Sequence, residues 1–365
     1  MSAVIVMADT SRYNSARVNC RYAYKEDFML KTMCKLGLIL WVMLSPLAAA
    51  QVVDLPWIGN PESLVISLDR VYLLEGTTIH MLGLNDLKYL GKFGQEGEGP
   101  GEIRKNPFGG PILVMPHQDK IFVNSMARLS VFTRDGAFIE EFRIDPSDSF
   151  IPFGEQYLCI GPHVSEGRTL MSLFLADRGL QKERPLYVSD FEVGMDMSFE
   201  FPITPFYPAI NADLLFVIAG KDGFAIDVYD RQGQKLYRIE KKEPAVTLPA
   251  SYRAETEKAF KRNPNLAPLW DYFRQRIKYK SHFPAIYDFH VEGERIYVFS
   301  NRMRAGEREC LVMDLKGKEL KRIYLPVPMN YGLEFKAVYA IADKVFYHLV
   351  EDEERETWTL QTRPL

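Results

Sequence analysis

The chain has 365 residues, 47% hydrophobic and 25% charged, with a formal net charge of −3. That balance leaves no basic footprint for nucleic acid, and the length suits one large all-β domain or two medium ones. Nineteen tyrosines and 23 phenylalanines favour strands over helices.

Residues 29–51 read MLKTMCKLGLILWVMLSPLAAAQ. Lys31 and Lys35 precede a twelve-residue apolar run that Pro46 breaks, and Ala48, Ala49 and Ala50 offer small residues for cleavage before Gln51. The run is too short for a membrane span, which needs about 20 residues. No cysteine stands in lipobox position after it; Cys34 lies before it. Residues 1–50 are therefore expected to be an upstream extension and signal peptide, and 51–365 a secreted or periplasmic domain without lipid or transmembrane anchor. Cys159 and Cys310 are the cysteines beyond that point, and they read as small buried hydrophobes.

Short alternating runs then recur: DRVYLLEG from 69, DKIFVNS from 119, RTLMSLFL from 168, DLLFVIAG from 213, ERIYVFS from 294 and DKVFYHLV from 343. Their starts lie about 45–50 residues apart, with one interval of about 81. Each is read as the second strand of a unit, followed by another run and often by a hairpin core such as RDG, RQG or LKG. Six four-stranded antiparallel units that cannot bury both faces alone predict a six-bladed β-propeller. The last unit lacks an outer strand, and QVVDLPWI from 51 is expected to supply it, closing the ring.

The long interval holds an insertion, 244–283, before the fifth blade. Leu266, Leu269, Phe273 and Ile277 recur at helical spacing and predict an amphipathic helix over 266–280. A shorter helix is expected over 251–262, with Ser251 as N-cap and Asn263-Pro264 as stop. From Arg253 to Lys280 there are eight Lys or Arg against three acidic residues.

FGQEGEGPGEI, 93–103, is glycine-rich without being a phosphate loop. Glu96, Glu98 and Glu102 repel anions, Pro100 removes a donor, and no lysine follows. It reads as the connector from the rim of the first blade to the inner strand of the second, with Glu102 pinning it through backbone N–H groups. The pattern Lys92, Gly94, Gly97, Gly99, Pro100, Gly101, Glu102 resembles, with one residue more between Gly94 and Gly97, the K-x-G-x-G-x-G-P-G-E hallmark of six-bladed propellers of bacterial envelopes, related to NHL-repeat and TolB-like propellers. A helical insertion before the fifth blade, bounded by a proline (Pro284 here), is also a feature of that group. Many of its members are lipoproteins, and this chain departs from them in lacking the lipobox cysteine. The resemblance implies a fold and a compartment, not a reaction.

Six-bladed propellers include calcium-dependent lactonases and a zinc-dependent lyase, whose metal sits in the central channel on residues from several inner strands. The corresponding positions here offer Asp69, His163, Asn211, Asp288 and His290. No G-x-S-x-G elbow or H-E-x-x-H occurs. The expected function is a monomeric binding or scaffold module, free of cofactor. Its partner would be a protein or a surface glycan or other anionic ligand on the face bearing the insertion. Candidate contacts are Trp270, Tyr272, Arg274, Arg276 and Lys278 for stacking and charge, with His163, His282 and Asp288 at openings. The alternative is a hydrolase or lyase holding Ca or Zn in the channel.

Overall fold

The computed structural model describes residues 50–67, 69–105, 111–192, 199–206, 208–263, 266–331 and 338–365. The signal-peptide reading lies outside them, as does the start of the run from 335. Residues 1–50 and 51–365 form separate units, and only the second is described below.

Six sheets of four antiparallel strands succeed one another along the chain. Blade 1 comprises Ser63–Ser67, Arg70–Glu75, Thr78–Gly83 and Tyr89–Phe93. Blade 2 runs through Leu113–His117, Lys120–Ser125, Arg128–Thr133 and Phe138–Arg143. Blade 3 is formed by Ser149–Phe153, Gln156–Ser165, Arg168–Ala176 and Lys182–Glu192. Blade 4 comprises Pro208–Asn211, Leu214–Ile218, Phe224–Tyr229 and Lys235–Lys241; blade 5, Asp288–Glu292, Arg295–Arg304, Glu307–Asp314 and Glu319–Leu325. Blade 6 contributes Tyr339–Ala342, Val345–Asp352 and Thr357–Pro364, and Val52–Leu55 pairs antiparallel with the last of these in the register Val52 to Gln361 through Leu55 to Trp358.

The second and third strands of each blade are apolar on both faces, because each sheet is sandwiched between two neighbours. Val71, Leu73, Val123, Leu129, Phe216, Ile226, Val298 and Leu311 are all fully buried. The resulting clusters each span two successive blades. One holds Phe216, Ile226, Val298 and Leu311 of blades 4 and 5, and another joins Leu55, Leu73 and Leu82 to Leu349 and Leu360 of blades 1 and 6. Each such side chain contributes roughly 1.5–3 kcal/mol relative to exposure, so these radial interfaces dominate the stability.

The hairpin turns between third and fourth strands also link blades. Gly136 and Gly317 have φ of 87° and 84° and lie against the preceding blade's outer strand. A Cβ there would stand 2.5 Å from Phe93 or 2.4 Å from Ile239, so the turn needs glycine for both its conformation and its closeness. Since strand direction alternates, the second-to-third turns and the blade connectors share one face of the disc. The Gly-rich connector and the insertion both belong to that face.

Three expectations need correction. RTLMSLFL is the third strand of blade 3, not the second; the second is Gln156–Ser165, whose Gly161 and Pro162 look like chain breakers. The inner strand of that blade pairs only with Gln156–Ile160, so Pro162 lies where the strand has no inner neighbour and its missing N–H is tolerated. The predicted helix over 266–280 is instead a 3₁₀ turn, Ala267–Leu269, a single helical turn, Trp270–Phe273, and a strand, Ile277–Tyr279. Parallel pairing of that strand with Phe199–Phe201, between blades 3 and 4, overrides the local helical pattern. Finally, Ser251 makes no side-chain cap bond and is itself helical (φ −70°, ψ −18°), while Asn263 does end the helix in an extended conformation.

Candidate ligand-binding cleft on the insertion

The insertion folds as a cap. Its helix α1, Tyr252–Arg262, buries Tyr252, Thr256 and Phe260, spaced four residues apart on one stripe. Tyr252 stands perpendicular to Phe283 at 5.1 Å, and Phe260 packs on Trp270 at 5.3 Å and on Phe201 at 6.4 Å. The opposite face of α1 is solvated and carries Glu255–Lys258 and Glu257–Lys261 pairs.

The cap is rooted in the blades by polar contacts. Arg302 and Arg322 of blade 5 both grip Glu243, at 2.8 and 2.7 Å, and both reach the buried Glu309. Burial opposes ionisation of Glu243, yet the two guanidiniums hold its carboxyl below the usual range. At the exit, Asn301 Nδ2 donates to the Pro284 carbonyl at 2.8 Å, and Lys280 Nζ donates to Thr204 Oγ1 at 2.7 Å.

Between α1 and the chain after it lies a cleft of ≈ 350 Å³ lined by Arg253, Ala254, Glu257, Trp270, Arg274 and Tyr279. Arg253 is exposed, and its guanidinium sits 4.9 Å over the Tyr279 ring. Among the described residues no carboxylate pairs with it. Arg274 Nε contacts Asp271 Oδ1 at 2.9 Å, and both side chains are exposed, so the pair is weak and displaceable. The Lys261 ammonium, 2.6 Å away, holds the Glu257 carboxyl below its ordinary pKa. Trp270 is 9% exposed and offers little of its indole to the cleft.

Of the residues singled out from sequence, the structure brings Trp270 and Arg274 together in this cleft. Tyr272 and Arg276 form their own pair outside its lining, the guanidinium 3.7 Å over the ring. Lys278, in the strand beside Phe199–Phe201, and exposed His282, whose Nδ1 lies 2.9 Å from Ser281 Oγ, also lie outside the lining. His163 belongs to the long hairpin of blade 3 and meets Phe174 edge-on at 5.6 Å. Arg253, Glu257 and Tyr279 went unrecognised as site residues. Arg253 was visible as part of the basic run, but Tyr279 is aimed by a strand pairing with no local signature.

Asp288 faces blade 6, where it accepts a hydrogen bond from the Tyr339 hydroxyl and lies 3.4 Å from His290 Nε2. Burial opposes its ionisation, but His290 and Tyr339 hold the carboxyl below the usual range. Nearby Arg308 is fully buried, with its guanidinium 3.6 Å over Tyr287 and bonds to Ser300 O at 3.0 Å and Pro328 O at 2.7 Å. These contacts moor the connector to blade 6 upon blade 5. Asp69 pairs with Arg134 at 2.8 Å, and Asn211 donates to Gly293 O at 2.5 Å. Among the described residues, no three His, Cys, Asp or Glu side chains converge as a metal-binding group. A groove of ≈ 620 Å³ between blades 2 and 3 contains Asp148 and Lys182, which already satisfy each other at 2.6 Å. Cys159 and Cys310 are free and buried, and burial pushes the Cys159 thiol up to about 12.

The fold and cap define a six-bladed β-propeller with a cap on its connector face. No protein-family model and no curated protein sequence matches the chain. Among solved structures it is similar to a luciferin-regenerating enzyme, at 10% identity and TM-score 0.42 over 87% of this chain and 96% of that one. It is also similar to the Neurospora crassa Pan2 WD40 domain, at 7% identity and TM-score 0.40 over 84% and 90%. Kluyveromyces lactis Hsv2 matches at 11% identity and TM-score 0.38 over 83% and 97%. Similarity at this level carries no functional argument. Among the described residues no helix is long and apolar enough to cross a membrane.

Proposed function

We propose that the protein is an exported or periplasmic binding module of the envelope-propeller type, whose cap cleft seats an anionic group presented by a protein or a surface glycan. Support for the compartment comes from the leader-like residues 29–50, and support for the affiliation from the Lys92–Glu102 pattern. The observation that carries the reading is Arg253. It is an exposed cation without a carboxylate partner among the described residues, held over Tyr279 beside Arg274 and Trp270. A guanidinium pre-oriented over an aromatic ring suits a planar anion and loses little entropy on binding it.

The test is a panel of anionic probes (oligouronates, sulfated glycans, polyphosphate, acidic peptides) titrated by calorimetry against the wild type and an Arg253→Ala/Arg274→Ala variant. Binding of at least one probe, lost in the variant at unchanged thermal stability, is expected. Binding that survives the double substitution would place the site elsewhere. A dependence on Ca or Zn, abolished by chelator, would favour the channel hydrolase or lyase instead.

A further inference from the structure

We infer that the cap cleft takes a carboxylated sugar, a uronic-acid residue of an acidic polysaccharide; this rests on the binding reading above and narrows it. The cleft is small, near the lower end of the roughly 300–1,000 Å³ typical of small-molecule sites, so it admits a short segment of a chain rather than a folded epitope.

Its charges discriminate among anions. Arg253 and Arg274 are opposed by Glu257 on the lining and by Asp271 beside Arg274. A phosphate dianion meets those carboxylates with more repulsion than a single carboxylate does, and an acidic peptide brings carboxylates without neighbouring hydroxyls for Glu257 to bind. A single carboxylate with several hydroxyls uses them differently: the guanidinium forks bind its planar group, and Glu257, kept ionised by Lys261, accepts a hydrogen bond from a hydroxyl.

The walls discriminate further. Trp270 and Tyr279 add a small aromatic patch beside the cations, the Tyr279 ring carrying the Arg253 guanidinium on one side. The C–H face of a pyranose packs on such a patch, whereas a phosphate or sulfate group has no apolar face to offer. A planar fork, an aromatic patch and a hydroxyl acceptor within one small cleft are together the complement of a uronate.

The experiment uses the intact mature chain and Trp270 fluorescence, with Trp270→Phe as the signal control. The probes are trigalacturonate and trimannuronate, the methyl ester of the former, galactotriose, tripolyphosphate and triglutamate. At least one triuronate should bind, with the ester and the neutral trisaccharide roughly tenfold weaker or more. Arg253→Lys should lose a similar factor without loss of thermal stability, since an ammonium cannot form the bidentate fork. Equal binding of the methyl ester would overturn the carboxylate assignment. Binding of tripolyphosphate or triglutamate without either triuronate would overturn the sugar assignment and leave the anion-binding reading standing. If no probe binds, both fall.

Discussion

Glu102 shows how much a single side chain organises. Its carboxylate accepts from Gly99 N at 2.7 Å and Gln95 Nε2 at 2.8 Å, while Arg128 donates to the carbonyls of Glu98 and Gly99 at 2.7 and 3.1 Å. The Gly99 N–H above all holds the Glu102 carboxyl below its ordinary pKa. The glycines leave room for that arrangement: a Cβ on Gly97 would lie 1.9 Å from Glu102 Oε2. Gly97→Ala should therefore expel the carboxylate and destabilise the chain by about 1–3 kcal/mol, read from denaturant midpoints. His80 and His348 give the residue scale its pH dependence. Burial, first of all, lowers both below the ordinary 6.5, opposed at His80 by Glu75 and reinforced by Lys92, and reinforced at His348 by Arg363. A group with a depressed folded pKa takes its proton first in the unfolded chain, so stability is lost as pH falls below the unfolded value. Urea midpoints should drop between about pH 7.5 and about pH 5, and less so in His80→Gln; an unchanged difference in that variant would show that His80 is not a contributor.

Blades and cap differ in how far their elements could be read from sequence. The blade hairpins announce themselves locally, because alternation and the Asp- and Gly-bearing turns act over a few residues: Asp230 caps its own turn at Gln234 N, and Asp314 does the same at Lys318 N, at 2.8 and 2.9 Å. α1 was legible for the same reason, through its apolar stripe. The segment after it was not, since Ile277–Tyr279 becomes a strand only by meeting Phe199–Phe201 from a distant connector. That contact also turns Tyr279 toward Arg253, and so half of the cleft was hidden until the pairing was known. The cap packs Tyr252 and Phe283 into a small core with Phe201 of the connector between blades 3 and 4, apart from the radial interfaces of the blades. Phe260→Ala should cost roughly 3–5 kcal/mol locally, loosening the cap and abolishing cleft binding while the blades' main thermal transition stays. A lowered main transition would instead mean that cap and blades unfold together.

At the scale of the whole molecule, the two ends of the propeller sequence meet in one sheet, Val52–Leu55 beside Thr357–Pro364. Leu55 and Ile58 are buried among side chains of blades 1 and 6. Trp358 Nε1 donates to Gly59 O at 3.1 Å, and Glu75 accepts from the N–H groups of Gly59 and Asn60, both at 2.7 Å. Deleting 51–58 should lower the thermal midpoint of the entire domain rather than of one blade, because an outer strand is stripped and an inter-blade core opened. An unchanged midpoint would contradict ring closure through this strand. The cleft proposed above places ligand on the cap and not in the channel. Hydrogen exchange across the intact chain, with and without whichever anionic probe it binds, is the sharpest test. New protection is expected over residues 252–257 and 270–279 alone, with the inner strands unchanged. Protection centred on the inner strand of Asp288 and His290, with the cap unaffected, would contradict it.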